Sequence, residues 1–329
     1  MAKVHLRGLG TPSPETQEFF AFFQGWAGRG TRHPLVGRPE EADLILFVFG
    51  TDLRAPLSAG EEALLAGRPG DCFAWDGKDH PIGFLPGLYA ALPGHAFDRR
   101  RFRTYCYPVE NRQVEAAWQS QPEKSLFFSF LGGATSSLRR KLYRHDYGRP
   151  DVFVENTTAH QEWNPHQPAW IERKQRYAEI LARSEFCLCP RGAGVGSIRL
   201  FEAMQAGSVP VLLSDAYVLP EGPDWDQFLI RLPESAIDRH ELPALLEPWR
   251  GRSREMGLRA RQAWEAWFAP GVWLDRIVEN LEAIRAARAE SGLPEAHYRR
   301  RWAWWKFKRE AGERVWNSLR RIRNRLRSR

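Results

Sequence analysis

The sequence predicts an α/β protein built on parallel sheets. Five apolar runs, 43–50 (DLILFVFG), 125–133 (SLFFSFLGG), 151–157 (DVFVENT), 185–190 (EFCLCP) and 208–215 (SVPVLLSD), lack alternation with polar residues. That is the pattern of strands covered on both faces. Segments of helical period stand between several of them, the alternation of βαβ units. At 329 residues and 43% hydrophobic content, the chain is long enough for two domains with their own cores.

Taken in order, run 43–50 is the first clear strand. Asp52 follows it, where ligands gather at the carboxyl ends of parallel strands. Residues 77–95 (GKDHPIGFLPGLYAALPGH) are punctuated by Pro and Gly and read as an ordered loop beside a site, carrying Asp79 and His80. The polar stretch 111–125, just after Glu110, reads as a crossover between domains. Pro168 to Arg183 is helical, with Trp170, Tyr177, Ile180 and Leu181 at helical spacing. Ser197 to Ala206 is a shorter helix, with Ser197 as N-cap and Gly207 closing it. Beyond residue 240 the patterns are helical. The expected division is 1–120, 121–290 and a C-terminal segment 291–329.

Charge is unevenly placed. Residues 299–329 hold 13 Lys and Arg against Glu310 and Glu313, a net of +11 in a chain of +8, so the remainder carries −3. Within this segment Val315, Leu319, Ile322 and Leu326 form an apolar stripe, and Trp302, Trp304, Trp305 and Trp316 add interfacial aromatics. The composition suits a helix lying on an anionic membrane surface. Nucleic-acid binding is the rival, since arginine and tryptophan also suit phosphates and bases, but it is the less favoured of the two. No run reaches the ~20 apolar residues of a membrane span, and the opening MAKVHLRGLGTPSPE has no signal-peptide apolar core. The expected location is the cytoplasm, with the basic segment on the inner face of the plasma membrane. Four cysteines at 72, 106, 187 and 189 fit reduced, buried thiols. Cys187 and Cys189 share a strand face, but their spacing is not that of a zinc knuckle.

The richest stretch is 189–215, CPRGAGVGSIRLFEAMQAGSVPVLLSD. A strand, a loop with Gly192, Gly194 and Gly196, and a helix start make an anion cradle of backbone amides. The spacing is neither the Rossmann G-x-G-x-x-G nor a Walker loop. Arg191 opens the loop. Arg199 and Glu202, three residues apart, project on one helix face. Such an Arg can fork onto a diphosphate, and the Glu can accept from ribose hydroxyls. A plain surface ion pair is the alternative use of that spacing. Asp215, about 23 residues past Gly192, would suit an oxidoreductase, against which the loop spacing and Arg-x-x-Glu argue.

Residues 176–234 resemble the donor-domain core of the exostosin family of glycosyltransferases. The likeness lies in the Arg-Tyr helix, Ser-x-Phe-Cys-Leu-x-Pro-x-Gly, Ser-x-Arg-x-x-Glu-Ala, Gly-x-x-Pro-Val, and Leu-Pro followed by Asp-Trp, in this order. Upstream, FFSFLGGATSSLRRKLYRH (127–145) resembles the family's Phe-x-Gly strand and Arg-bearing helix. The resemblance covers about residues 125–248. It implies a GT-B architecture, two Rossmann-like domains facing across a cleft, and a nucleotide-sugar, usually a UDP-sugar, as co-substrate. It also implies that Arg199 contacts the diphosphate and Glu202 the ribose. The amides around Gly194, Gly196 and Ser197 would cradle phosphate, and Gly132 and Gly133 would let a loop approach the ligand. Either Arg139 or Arg140 would be a second diphosphate cation. Transfer would invert the anomeric carbon, with a base taken from Asp52, His80 or Glu110 and no divalent metal required. The DWD at 224–226 matches the family's Asp-Trp and reads as structural. Glu155 reads as a loop carboxylate. The acceptor would be a saccharide or a lipid-linked saccharide, as in cell-surface glycan synthesis. The alternative is a non-catalytic nucleotide- or nucleic-acid-binding protein that uses the glycine loop and the basic segment.

Overall fold

The structure is a computed structural model. It describes residues 1–9, 14–49, 58–79, 81, 83, 85–107, 111–159, 169–237, 241–291, 300, 304 and 307. The base candidates Asp52, His80 and Glu110, and nearly all of the basic segment 299–329, lie outside the described residues.

Two five-stranded parallel sheets form the frame. The first contains β1 (Val4–Leu9), β2 (Leu44–Phe49), β3 (Cys72–Asp76), β4 (Gly87–Tyr89) and β5 (Phe102–Thr104), in chain order across the sheet. Helix α1 (Pro14–Ala27) connects β1 to β2, and α2 (Ala59–Gly67) lies between β2 and β3. Helix α3 (Arg112–Gln119) is the crossover, capped by the Asn111 side chain accepting from Val114 N. The second sheet holds β6 (Leu126–Gly132), β7 (Val152–Asn156), β8 (Ser184–Pro190), β9 (Val209–Leu213) and β10 (Ile230–Leu232), in the order β10-β9-β8-β6-β7. Helices α4 (Ser137–Leu142), α5 (Trp170–Arg183) and α6 (Arg199–Gln205) connect its strands, and α7 (Leu242–Leu246), α8 (Ser253–Trp267) and α9 (Pro270–Ser291) follow. This is the pair of Rossmann-like units expected of a GT-B protein. All five apolar runs are strands, and those of β2, β8 and β9 are almost wholly buried, as a sheet covered on both faces requires.

The strand order carries the functional information. From β6 the chain steps outward to β7, then returns to the other side of β6 for β8 and continues away. The order therefore reverses between β6 and β8, and the carboxyl ends of those two strands flank a crevice. Ligands of open α/β sheets bind at such a switch point. The first sheet runs straight from β1 to β5 and has none.

Three expectations change. The stretch 77–95 is not only loop, because Gly87–Tyr89 forms the fully buried β4. A Cβ on Gly87, at φ +152°, would lie 2.0 Å from Ala74 O, so only glycine lets the strands come this close. Ser197 does not cap α6: Ile198 holds the N-cap position, without a side-chain hydrogen bond. Gly207 does close that helix, at φ +61°. Finally, α9, expected to belong with the second half, packs back on the first sheet. Trp273 stacks edge-on against Phe23, Trp26 and Trp75 and donates Nε1–H to Cys106 Sγ at 3.1 Å. Arg32 pairs with Asp275 and Glu279, and Arg285 with Asp71. A 22-residue helix with this buried aromatic face belongs to whichever half supplies the facing aromatics.

Candidate functional site

Two guanidiniums meet at the switch point. Arg139, from α4, spans the ends of β6 and β8. Its Nη1 donates to Gly133 O (3.3 Å), its Nη2 to Pro190 O (3.0 Å) and its Nε to Arg191 O (3.1 Å). Arg199, at the first turn of α6, donates Nε–H to Leu131 O at 2.5 Å. Both lie over the Phe130 ring, with Cζ 5.4 and 5.0 Å from its centroid. They are 6% and 8% exposed, and among the described residues neither is paired with a carboxylate. Burial, with the Arg199 charge second, pulls Arg139 down to about 10. Two adjacent buried cations without a counter-ion are costly unless an anion joins them. The Nη1 and Nη2 groups of Arg199 make no hydrogen bond among the described residues, leaving four N–H donors for a ligand.

Of Arg139 and Arg140, the first reaches the switch point. Arg140 is exposed and its Nη1 reaches only Ala134 O. Successive helical residues point about 100° apart, so only one of the pair can face the crevice. Ser136 orients α4 by accepting from Arg139 N, and its hydroxyl donates to Arg191 O.

The glycines have distinct reasons. A Cβ on Gly132 would stand 2.5 Å from Arg199 Nη2, so this glycine makes room for the guanidinium itself. A Cβ on Gly133 would make ordinary contact with Thr135 and Thr158, and Gly192 faces the Arg139 guanidinium. Gly194 and Gly196 are closely faced by other backbone and side-chain atoms. A Cβ on Gly194 would be 2.1 Å from Asp79 O, and one on Gly196 would be 2.8 Å from the Tyr107 hydroxyl and 3.1 Å from Ala90 O. These two glycines admit the backbone of the N-terminal half, which closes on the loop. Beside them the Ser197 hydroxyl is 2% exposed with no hydrogen-bond partner among the described residues, and Thr157 Oγ1, just past β7, is likewise unpartnered. Thr157 was not among the candidates read from the sequence, and its amide donates to Gly132 O at 3.0 Å.

Glu202 is buried at 5% exposure, and both of its oxygens are engaged. Asn111 Nδ2 donates to one at 2.8 Å and the Tyr177 hydroxyl donates to the other. It is therefore not half of a surface ion pair with Arg199. It ties α6 to α5 and to the cap of the interdomain helix α3, and each oxygen retains a lone pair for a further donor. Arg191 pairs with Glu234 at 2.8 Å. Asp215 accepts from Glu234 N at 3.1 Å, and Glu155 forms an ion pair with Arg176 at 2.6 Å. Trp225 of the DWD stretch donates to Pro220 O and packs on Phe228 and Phe268, as a structural residue should. All four cysteines are buried free thiols, and burial raises Cys187 to about 11.

On the acceptor side, Asp79 is exposed, 3.5 Å from the Tyr107 hydroxyl, at the mouth of the crevice. Asp76 ends β3 fully buried, its Oδ1 accepting from Lys78 N. The terminal Asp of the apolar run CFAWD was the available sequence signal for it.

Residues 97–247 match the Exostosin GT47 domain. The chain is 34% identical over 139 residues to an Exostosin-1 homolog of Caenorhabditis elegans, covering 39% of this chain and 36% of that one. It is 33% identical over 176 residues to Exostosin-1 of Mus musculus, covering 47% of this chain and 22% of that one. The chain thus matches about a third or less of the length of these curated relatives. Among solved structures it is similar to WaaG, a glycosyltransferase involved in lipopolysaccharide biosynthesis (TM-score 0.36, 13% identity, 88% of this chain and 100% of that one). It is also similar to Anabaena HepE in complex with UDP and glucose (TM-score 0.40, 12% identity, 85% and 99%).

Proposed function

We propose that this chain is an exostosin-like glycosyltransferase that moves a sugar from a nucleotide-sugar, a UDP-sugar, to a saccharide acceptor with inversion. One observation carries the reading. Two buried guanidiniums without carboxylate partners stand at the sheet's switch point, inside the segment that matches the Exostosin GT47 domain.

The chemistry follows from that placement. The acceptor hydroxyl oxygen forms a bond to the anomeric carbon while the bond from that carbon to the diphosphate breaks. The electron pair leaves on the diphosphate, where Arg199 and Arg139 stabilise it. The hydroxyl proton goes to a base of the N-terminal half, for which Asp52, His80 and Glu110 are the candidates. Since two cations already face the leaving group, activity should persist in excess EDTA. Glu202, held by Asn111 and Tyr177, would present its remaining lone pairs to the ribose.

We extend the proposal to location. The basic segment 299–329 would hold the enzyme on the anionic inner face of the plasma membrane, beside a lipid-linked acceptor in cell-surface glycan synthesis. Among the described residues no helix is long and apolar enough to cross a membrane. Deleting 299–329 should abolish co-sedimentation with anionic liposomes, and unchanged binding would remove this part.

The activity is tested by incubating the full chain with UDP-glucose, UDP-N-acetylglucosamine and UDP-glucuronate and measuring released UDP. Slow release from at least one donor, lost in Arg199→Ala, is expected. No release from any donor, or equal release by the variant, would contradict the proposal.

A further inference from the structure

We infer that the chain carries a second pocket, shaped for a neutral saccharide, on the flank where the polypeptide crosses between its two halves. The cavity is about 390 Å³, within the range of small-molecule sites. It lies between α1, α3, α6 and α8, and Pro270 at the second crossing closes it. Neither Arg139, Arg199 nor Ser197 lines it. Gln205, one turn beyond Glu202 on α6, does.

The charged side chains that line this pocket, Arg112, Glu115 and Arg261, all have interactions of their own, Arg112 being the exposed one. Arg261 gives Nη1 and Nη2 to Glu115 at 2.8 and 2.9 Å, and Nε to Glu265 at 2.7 Å. That cation is therefore not available to a phosphate. What remains is neutral. The Trp26 indole, 3% exposed, has an N–H with no hydrogen-bond partner among the described residues. Gln205 uses its Nε2 on Asn111 O (3.2 Å) and Gln119 its Nε2 on Glu115 (3.4 Å). Both carboxamide oxygens are left without a donor among the described residues. Trp264 is half-buried, with the Arg261 guanidinium 4.8 Å from its ring centroid. Two unused acceptors and indole walls match a pyranose, whose hydroxyls donate and whose C–H face packs on an aromatic ring. Because the pocket is bordered by α3 and Pro270, its occupant touches both interdomain connections. The inference stands apart from the transferase reading.

The test is saturation-transfer NMR and calorimetry on the full chain with cellobiose, maltose, lactose and N,N′-diacetylchitobiose, all in saturating UDP. At least one disaccharide should bind. Trp264→Leu should weaken it about tenfold and the exposed Gln119→Ala about threefold, with UDP affinity unchanged in both. Arg199→Ala should lose UDP and keep the disaccharide. No binding by any of the four sugars overturns the inference, as does equal affinity in both pocket variants or joint loss of UDP and disaccharide in Arg199→Ala.

Discussion

Arg199 and Arg139 reach the same crevice but do different work. Arg139 spends three of its nitrogens on the carbonyls that hold β6 and β8 together, while Arg199 spends one. Arg199→Ala should therefore weaken UDP binding by about 1.5–3 kcal/mol, roughly ten- to hundredfold in calorimetry, with little change in melting temperature. Arg139 adds a pH signature. Its proton is held less tightly than that of an ordinary arginine, with a value of about 10. The charged form, which attracts diphosphate, is complete below that value and lost as pH rises through it. UDP affinity should fall between pH 9 and 10.5 more steeply in the native chain than in Arg139→Ala, since the uracil imide titrates equally in both, and parallel profiles would show that Arg139 does not face the ligand. Arg199 was legible in the sequence through its position after a strand and a glycine loop, whereas Arg139 could not be told from its neighbour Arg140. The partners of Glu202 were not legible, since Asn111 and Tyr177 lie 91 and 25 residues away and only the fold delivers them. Gly194 and Gly196 were legible as a loop needing no side chains. A sequence does not reveal whether a ligand or another backbone presses against such a loop, and here it is Asp79 and Ala90.

At the scale of elements, α6 is short and wholly buried, so its ends matter more than its propensity. Gly207 closes it at φ +61°, and a Cβ there would lie 2.1 Å from the Trp118 ring. Gly207→Ala combines a left-handed backbone penalty with a clash against the crossover helix, and should cost about 3 kcal/mol in denaturant unfolding. A cost below about 1 kcal/mol would mean that α3 does not pack there. The long apolar strands were readable because burial on both faces leaves an unbroken run. The strands β4 and β5 were not, because three residues, set among Pro and Gly in β4 and among arginines in β5, carry too little pattern to separate a strand from a loop. The N-terminal elements β1 and α1 escaped the reading too, β1 because charged and glycine residues interrupt its run.

For the whole molecule, the sequence supports two halves but not how they close. Closure shows in Glu221, which takes Arg99 Nε at 3.0 Å and Arg103 Nε at 3.2 Å from the other half, beside the bond from Gly94 N to Ala216 O at 2.8 Å. Arg103 is 6% exposed, so its pair is less screened than an ordinary surface bridge. Glu221→Gln should speed amide exchange in 93–103 and 215–222 several-fold, and unchanged exchange would assign closure to α9 and the glycine loop instead. The chain's return through α9 was hidden because helical period reveals a buried face without naming what covers it. The central claim is that the reversal between β6 and β8 seats a diphosphate. A crystal structure of the full chain with UDP tests it most directly. Both phosphates should lie within hydrogen-bond distance of Arg199 Nη1 or Nη2 and of the Ser197 hydroxyl. Clear UDP density at any other place would contradict the account.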